Sequence, residues 1–239
     1  MAERNFLTGG AVVEHARQTS LLPRRSRRRE AAGANIDVSP YLTSPVKRTF
    51  DFGLAALLII LLLPLLLAAA LAVKRSSPGC VHIRQKRYGL GKRSFEILKF
   101  RSMHAECGKD LTVPQATSAD PRVTPLGRFL RKSSIDELPQ LINVLRGEMS
   151  LVGPRPHAIV HDEKYIAALP TYASRFAATP GITGLAQING ARGETPTLAH
   201  MQRRLQFDLE YIRTASLLLD LKILVRTAVA VVAARADVY

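Results

Sequence analysis

Two adjacent carboxylates, Asp136 and Glu137, stand in the run Ser134-Ile135-Asp136-Glu137-Leu138-Pro139-Gln140. Arg128, Arg131 and Lys132 precede them, and Arg146 and Arg155 follow. Fixed positive charge keeps nearby carboxylates ionised at neutral pH. One ionised carboxylate can then attack as a nucleophile while the other holds a divalent metal. The same arginines can receive a phosphate-bearing substrate. An acidic pair in a basic pocket therefore points to phosphoryl chemistry. On spacing alone the residues read more readily as a surface helix whose Asp and Glu pair with neighbouring arginines, since surface ion pairs are common.

A short second run, Gly153-Pro154-Arg155-Pro156, places an arginine between two prolines. Proline fixes its own backbone dihedral, so the guanidinium rides on a stiff loop suited to phosphate. A rigid turn with a solvent-facing arginine fits the same residues. Pro180-Gly181-Ile182-Thr183-Gly184 is either a turn or a close approach of backbone to ligand. His157, His161 and His200 have no zinc spacing and read as ordinary surface or loop histidines. Cys80 and Cys107 form neither a metal-type Cys-x-x-Cys motif nor a disulfide framework, which fits a reducing setting.

These groups need elements to position them. Ser134 with Glu137 three residues later has capping-box spacing. That predicts a helix with both carboxylates in its first turn, where the helix dipole favours carboxylate and incoming phosphate alike. Pro139 sits awkwardly inside such a helix. Upstream, Val81-His82-Ile83-Arg84 alternates like a strand, and Ser94 to Phe100 reads as another, giving a β-hairpin. Gly89-Leu90-Gly91 lacks the next glycine and helix of a nucleotide loop and reads as the turn. No Walker-type Gly-Lys-Ser is present, which argues against an ATPase. Leu198, Met201, Leu205, Leu209 and Ile212 have helical spacing and mark a core face.

From Phe52 to Val73 the chain is almost wholly apolar, and about twenty such residues suit a membrane helix. Lys47 and Arg48 precede it and Lys74 and Arg75 follow, so positive charge sets no direction for a single span. Pro64 stands mid-segment, where proline removes a hydrogen bond and bends a helix. A bent, re-entrant anchor with both ends on the cytosolic face satisfies both features. Asp51 is placed to pair with Arg48 near the interface. Ser216 to Val232 is also apolar, but Asp220, Lys222 and Arg226 interrupt it, so it reads as an interfacial amphipathic helix rather than a span.

The formal net charge of +15 favours anionic partners: nucleic acid, acidic lipid or phosphorylated substrate. Tryptophan is absent and aromatics are sparse, which weakens a single-strand nucleic-acid binder. The basic run Pro23-Arg24-Arg25-Ser26-Arg27-Arg28-Arg29 has no reading element nearby and suits a disordered arm on anionic lipid, or a solvated tail.

Taken in order, Lys99-Phe100-Arg101-Ser102-Met103, the Asp-Glu-Leu-Pro-Gln run, Gly153-Pro154-Arg155-Pro156, Pro180-Gly181-Ile182-Thr183-Gly184 with Gln187, and Leu219-Asp220-Leu221-Lys222 resemble the monotopic phosphoglycosyl transferases, bacterial sugar transferases acting on polyprenyl phosphate. The likeness runs from about Lys47 to the C-terminus. The stretch from Asn189 to Pro196 with Phe207-Asp208-Leu209-Glu210-Tyr211-Ile212 most resembles the exopolysaccharide-initiating glucose branch. There are departures. Leu63-Pro64 replaces the usual Ser-Pro of the broken helix, Ala191 separates Asn189-Gly190 from Arg192, and Gly184-Leu185 stands where Gly-Trp is commoner.

The resemblance implies an α+β, mainly helical fold: an N-terminal re-entrant membrane helix, a small β-hairpin and a cytosolic catalytic body with interfacial amphipathic helices. The expected division is a basic, disordered arm over 1–45, the re-entrant anchor over 46–75 and the cytosolic phosphoglycosyl transferase domain over 76–239. It implies a membrane-associated enzyme at the cytosolic face of the bacterial inner membrane. The reaction would move a sugar 1-phosphate from a UDP-sugar to undecaprenyl phosphate through a phosphosugar–aspartyl intermediate. Glucose 1-phosphate is the expected group, with galactose 1-phosphate or an N-acetylhexosamine 1-phosphate as alternatives. Asp136 carries over as the nucleophile and Glu137 as the magnesium ligand. Lys99, Arg101, Arg131 and Arg155 carry over as phosphate contacts, and Gln187 and Arg192 as donor-site residues. Mg2+ is the implied cofactor and membrane lipid a partner, with no nucleic acid. The oligomeric state stays open. The competing class is a non-catalytic basic membrane adaptor, which would have no need of the acidic dyad.

Overall fold

The computed structural model describes residues 36–104, 120–193 and 195–232. The basic run at 23–29 lies outside them. Helix α1 (Pro45–Ser76) is 32 residues long and contains Pro64. Ser44 caps it by accepting the Lys47 N–H at 3.2 Å, and Pro45 occupies the first position, where its missing N–H costs nothing. Residues 36–44, read from the sequence as the end of an arm, instead dock on the body. Ser39 donates its N–H to the Ile212 carbonyl at 2.9 Å and its hydroxyl to the Ala215 carbonyl at 2.7 Å.

Both halves of α1 pack on one body. Ala55, with Leu54, Leu58 and Ile59 beside it, joins a core cluster that includes Ile97, Val144 and Ile223. Ala69 and Val73 join a second cluster with Phe100 and Leu130. Between these footings the helix shows its apolar side chains to the exterior: Leu57, Ile60, Leu61 and Leu67 are 59–72% exposed.

The body is mainly helical with two small sheets. Strands β1 (His82–Tyr88) and β2 (Ser94–Phe100) pair antiparallel, with Tyr88 opposite Ser94, so Gly89 to Arg93 form the turn read from sequence. Strand β1 runs four residues beyond the expected Arg84. Cys80, just before β1, is disulfide-bonded, against the expectation of no disulfide framework; two cysteines give no spacing pattern from which one could be read. Cys107 lies outside the described residues.

Helix α2 (Pro125–Lys132) follows, capped by the Thr124 hydroxyl on the Gly127 N–H at 2.8 Å. A 3-10 turn over Ile135–Glu137 leads to α3 (Gln140–Arg146). Strand β3 (Ser150–Val152) pairs in parallel with β4 (Gly181–Thr183), across a connection holding α4 (Ile159–Ala168) and a 3-10 segment, Tyr172–Ala177. A Cβ on Gly181 would lie 2.1 Å from the Gly153 nitrogen. The glycines of both sequence runs therefore permit backbone to approach backbone, which answers the choice between a turn and a ligand approach. Helices α5 (Leu185–Ile188), α6 (Leu198–Thr214) and α7 (Leu217–Val232) complete the body.

A buried polar knot ties α1 to α7. Lys47 Nζ lies 2.6 Å from Asp220 and 3.2 Å from Asp51, and donates to the Val152 carbonyl at 3.2 Å. Tyr41 and Tyr211 donate their hydroxyls to Asp220 at 3.0 and 2.8 Å. Asp51 thus pairs with Lys47, one helical turn away, rather than with Arg48. Arg48 donates to the Val144 and Leu145 carbonyls at 2.6 and 2.7 Å, at the end of α3, where unpaired carbonyls await a donor. Helix α7 is amphipathic in an inverted sense. Its Asp220 is fully buried, while Leu218, Val225 and Val229 are 78%, 62% and 63% exposed.

Removing one partner of a buried ion pair strands the other charge, at about 3–5 kcal/mol. Asp220→Ala should therefore destabilise the body by about that amount in detergent, as measured by chemical unfolding followed by circular dichroism. A loss below about 1 kcal/mol, the value of a surface pair, would contradict this role for the knot.

Candidate active site

The dyad does not cap a helix. Ser134 adopts the left-handed conformation, φ +60°, and its side chain caps nothing. Asp136 and Glu137 sit in the separate 3-10 turn, and α3 begins only at Gln140. Pro139 explains the difference: it stands immediately before the first helical residue, where it is tolerated, and it could not sit deep inside a continuous helix. Both carboxylates are buried, each 7% exposed.

The two carboxylates have different partners. Lys99, from β2, places Nζ 2.8 Å from Glu137 Oε1. Arg155 grips Glu137 with both arms of its fork, at 2.6 Å to Oε1 and 3.0 Å to Oε2. Among the described residues no donor sits on the Asp136 carboxylate. Burial opposes the charge of Glu137, but Arg155 and Lys99 outweigh it and hold the carboxyl well below the usual range. Burial, and then the Glu137 charge, push Asp136 up to about 6, against the pull of Lys99, Arg131 and Arg155. The sequence reading, in which surrounding cations keep both carboxylates ionised, thus holds fully for Glu137. For Asp136, burial and a like charge offset much of that help.

The remaining predicted residues divide. Arg131 acts on Asp136 through space. Arg192 donates to the Ser134 hydroxyl, two residues before the nucleophile candidate. Arg101 does not join them. It is 4% exposed and donates to the carbonyls of Pro78 and Ser77, each at 2.7 Å, and to that of Val73 at 3.4 Å, closing the C-terminal end of α1. Gln187 turns its amide to the Ile182 carbonyl of β4 at 3.0 Å. A shallow pocket beside Arg155 is lined by Tyr88, Pro154, Pro156, Phe176 and Pro180.

No group of three or more metal-ligating side chains occurs among the described residues. The dyad nevertheless suits magnesium, which takes one or two carboxylates and completes its shell with water and substrate phosphate. A carboxylate has about four lone-pair sites, and among the described residues Glu137 Oε2 accepts the Arg155 bond alone, so one remains for a cation.

Sequence reasoning overlooked a buried cluster behind Arg155. His157, read as a surface or loop histidine, lies with each ring nitrogen 2.9 Å from an arginine, Arg175 on one side and Arg204 on the other. Arg175, Arg204 and Asp208 are each 2–3% exposed. A signal was present: Arg204 and Asp208 fall within the apolar stripe of α6 beside Met201, Leu205 and Ile212, and charges on a core face require partners.

The model of the bacterial sugar transferase family matches residues 42–234. A UDP-glucose:undecaprenyl-phosphate glucose-1-phosphate transferase of Caulobacter vibrioides is 58% identical over 182 residues, which is 76% of this chain and 67% of that protein. The Escherichia coli protein of the same name is 54% identical over 182 residues, 76% of this chain but only 39% of the relative. The exopolysaccharide production protein PSS of Rhizobium leguminosarum bv. phaseoli is 41% identical over 187 residues, covering 77% of this chain and 94% of the relative. With a matched region that takes in both halves of the anchor, the dyad and the Pro-Arg-Pro loop, this chain belongs to the bacterial sugar transferase family.

Proposed function

We infer that the protein is a membrane-associated transferase that moves a sugar 1-phosphate, glucose 1-phosphate first among the candidates, from a UDP-sugar to undecaprenyl phosphate. The division of labour in the dyad carries this reading. Glu137 is pinned by an arginine fork and a lysine, whereas Asp136 is buried, without a hydrogen-bond donor among the described residues, and more basic than an ordinary aspartate. A carboxylate without donors keeps its lone pairs for attack. At pH 7, a group with a pKa of about 6 is still mostly ionised.

In the first step an Asp136 carboxylate oxygen bonds to the β-phosphorus of the donor. The phosphoanhydride breaks, and UMP leaves with the bonding pair. In the second step an oxygen of the lipid phosphate bonds to the same phosphorus, and the Asp136 carboxylate departs with the electron pair of its P–O bond. The products are UMP and a lipid-diphosphate-sugar, with Asp136 restored. Lys99, Arg131, Arg155 and Arg192 surround this path and offset the charge that builds as the anhydride opens. A magnesium ion held through Glu137 would add electrostatic neutralisation of the diphosphate.

The acceptor cannot leave lipid, so the dyad must work at headgroup level. Two features support a re-entrant anchor at the cytosolic face. Ala55 and Val73 would stand about 27 Å apart on a straight helix. Their clusters instead meet strand β2 at Ile97 and Phe100, about 10 Å apart, and a bend at Pro64 reconciles the two spans. The exposed apolar faces of α1 and α7 then share one lipid boundary, with α7 lying in the interface.

Three measurements test this reading. Purified protein with UDP-glucose, magnesium and undecaprenyl phosphate should release UMP, and Asp136→Asn should lower that rate by at least about a thousandfold. An Asp136→Asn protein of near-normal rate would overturn the assignment. Arg155→Lys keeps the charge but loses the fork, so kcat/KM should fall by about tenfold or more; an unchanged value would make the loop a structural turn only. Cysteines placed at Pro45 and Pro78 should both be shielded from impermeant thiol reagents added outside intact cells. Labelling of one end from outside would establish a full span.

A further inference from the structure

The basic residues around the dyad belong to separate loops, and helix α6 holds two of those loops through buried side chains. Arg155 aims its guanidinium at Glu137, and its carbonyl accepts from Arg175 NH2 at 2.7 Å. Arg175 in turn is clamped by Asp208 of α6, at 2.7 and 3.2 Å. One helical turn earlier, Arg204 donates to the Ala191 carbonyl at 2.9 Å and to the Gly193 carbonyl. Those carbonyls flank Arg192, which reaches Ser134 beside the dyad. His157 follows the Pro-Arg-Pro loop and stands between the two arms, Nε2 2.9 Å from Arg204 and Nδ1 2.8 Å from the Tyr172 hydroxyl, which accepts from Arg175 at 3.1 Å.

We propose that Arg175 and Arg204 are positioning residues of the transfer reaction. Arg175 sets the main chain that aims Arg155 at the dyad, Arg204 sets the loop that carries Arg192, and His157 joins the two settings.

The physical case rests on where each bond ends. Pro154 and Pro156 have no N–H, so the Arg155 loop lacks two of the donors that usually tie a loop to its surroundings. The Arg155 carbonyl is a remaining handle, and a buried guanidinium holds it. A guanidinium can hold a carbonyl, a carboxylate and a hydroxyl oxygen at fixed angles at once; a lysine ammonium cannot reproduce that fork. Arg175 is paired with Asp208 at 2.7 Å and Asp162 at 3.5 Å, and Arg204, buried, is held by the Ala191 and Gly193 carbonyls. Burial, then Arg175 and also Arg204, hold the His157 ring neutral despite Asp162. A neutral ring accepts at one nitrogen only, so Nε2 accepts from Arg204 while Nδ1–H faces the Tyr172 hydroxyl, which itself accepts from Arg175 at 3.1 Å.

The inference rests on the transferase reading, and a double-mutant cycle separates the two. UMP release and hydrogen exchange would be measured on the full chain. Arg175→Lys should lower kcat/KM by about tenfold in the wild-type background and by less than twofold in an Arg155→Lys background, because the fork it aims is already gone. In an Arg192→Lys background the full tenfold loss should persist. Arg204→Lys should show the converse pattern. Asp208→Asn, which leaves Arg175 an acceptor, should lose less than Arg175→Lys. Amide exchange in Arg175→Lys should rise over residues 134–140 and 153–158 while the protection of α1 stays unchanged. Equal losses of Arg175→Lys in both backgrounds, or exchange that rises throughout the body, would overturn positioning and leave a general role in stability. If wild-type protein releases no UMP, the transferase reading fails, and the exchange pattern alone then decides the positioning claim.

Discussion

Two carboxylates joined by one peptide bond cannot both be buried and unpaired, because each raises the cost of charging the other. The active site is organised around that constraint. Glu137 receives Lys99 and both arms of Arg155, and its charge is thereby settled. Asp136 is left buried beside that charge; burial and then Glu137 push its pKa up to about 6, and among the described residues no donor sits on its oxygens. An attacking carboxylate needs that combination of ionisation and availability. The clamp on Glu137 also determines where supporting elements must stand. Strand β2 must present Lys99, and the Pro-Arg-Pro loop must present Arg155 from the parallel β3–β4 pair. The close glycine contacts between Gly153 and Gly181 allow that pair to form.

The second organising constraint is the lipid acceptor. A body that works at headgroup level must be held at a fixed height. Helix α1 meets this body at both ends, through the Lys47–Asp220 knot at one end and, at the other, Arg101 bonds to the Val73 carbonyl and to the Ser77 and Pro78 carbonyls just past the helix. Arg101 and Lys99 leave the same end of the hairpin, one toward the anchor and the other toward the dyad. The height of the dyad relative to α1 is thus transmitted through Lys99 of β2 and Arg101 just beyond it. Helix α7 fits the same plan: it buries its aspartate in the knot and leaves leucine and valine on its outer face.

Much of this was legible in the sequence, and the failures have physical causes. The apolar run, the hairpin and the acidic pair are local patterns, and each appeared where its periodicity or spacing placed it. The dyad's helix was misplaced because capping-box spacing and a 3-10 turn share the same residues, and Pro139 decides between them. Asp51 was assigned to Arg48, which helical spacing allows as readily as Lys47; tertiary contacts decide, since the end of α3 takes Arg48 and the knot with Asp220 takes Lys47. Arg101 was expected at phosphate because the family resemblance carried it over with Lys99; only tertiary structure shows that the chain leaving α1 arrives to claim it. The Arg175–Asp208–His157 cluster was missed because its members lie far apart in sequence, on a loop, a 3-10 segment and a helix. Charges inside the apolar stripe of α6 were its one local trace.

The central claim is that Asp136, rather than Glu137, bonds to the sugar phosphate. Intact-protein mass spectrometry tests it most directly, on wild-type protein mixed with UDP-glucose and magnesium in the absence of lipid acceptor. The account predicts a hexose-phosphate adduct that fragmentation places on Asp136 and that disappears when undecaprenyl phosphate is added. An adduct on Glu137 or any other residue, or acceptor-dependent turnover with no adduct at any time, would contradict it.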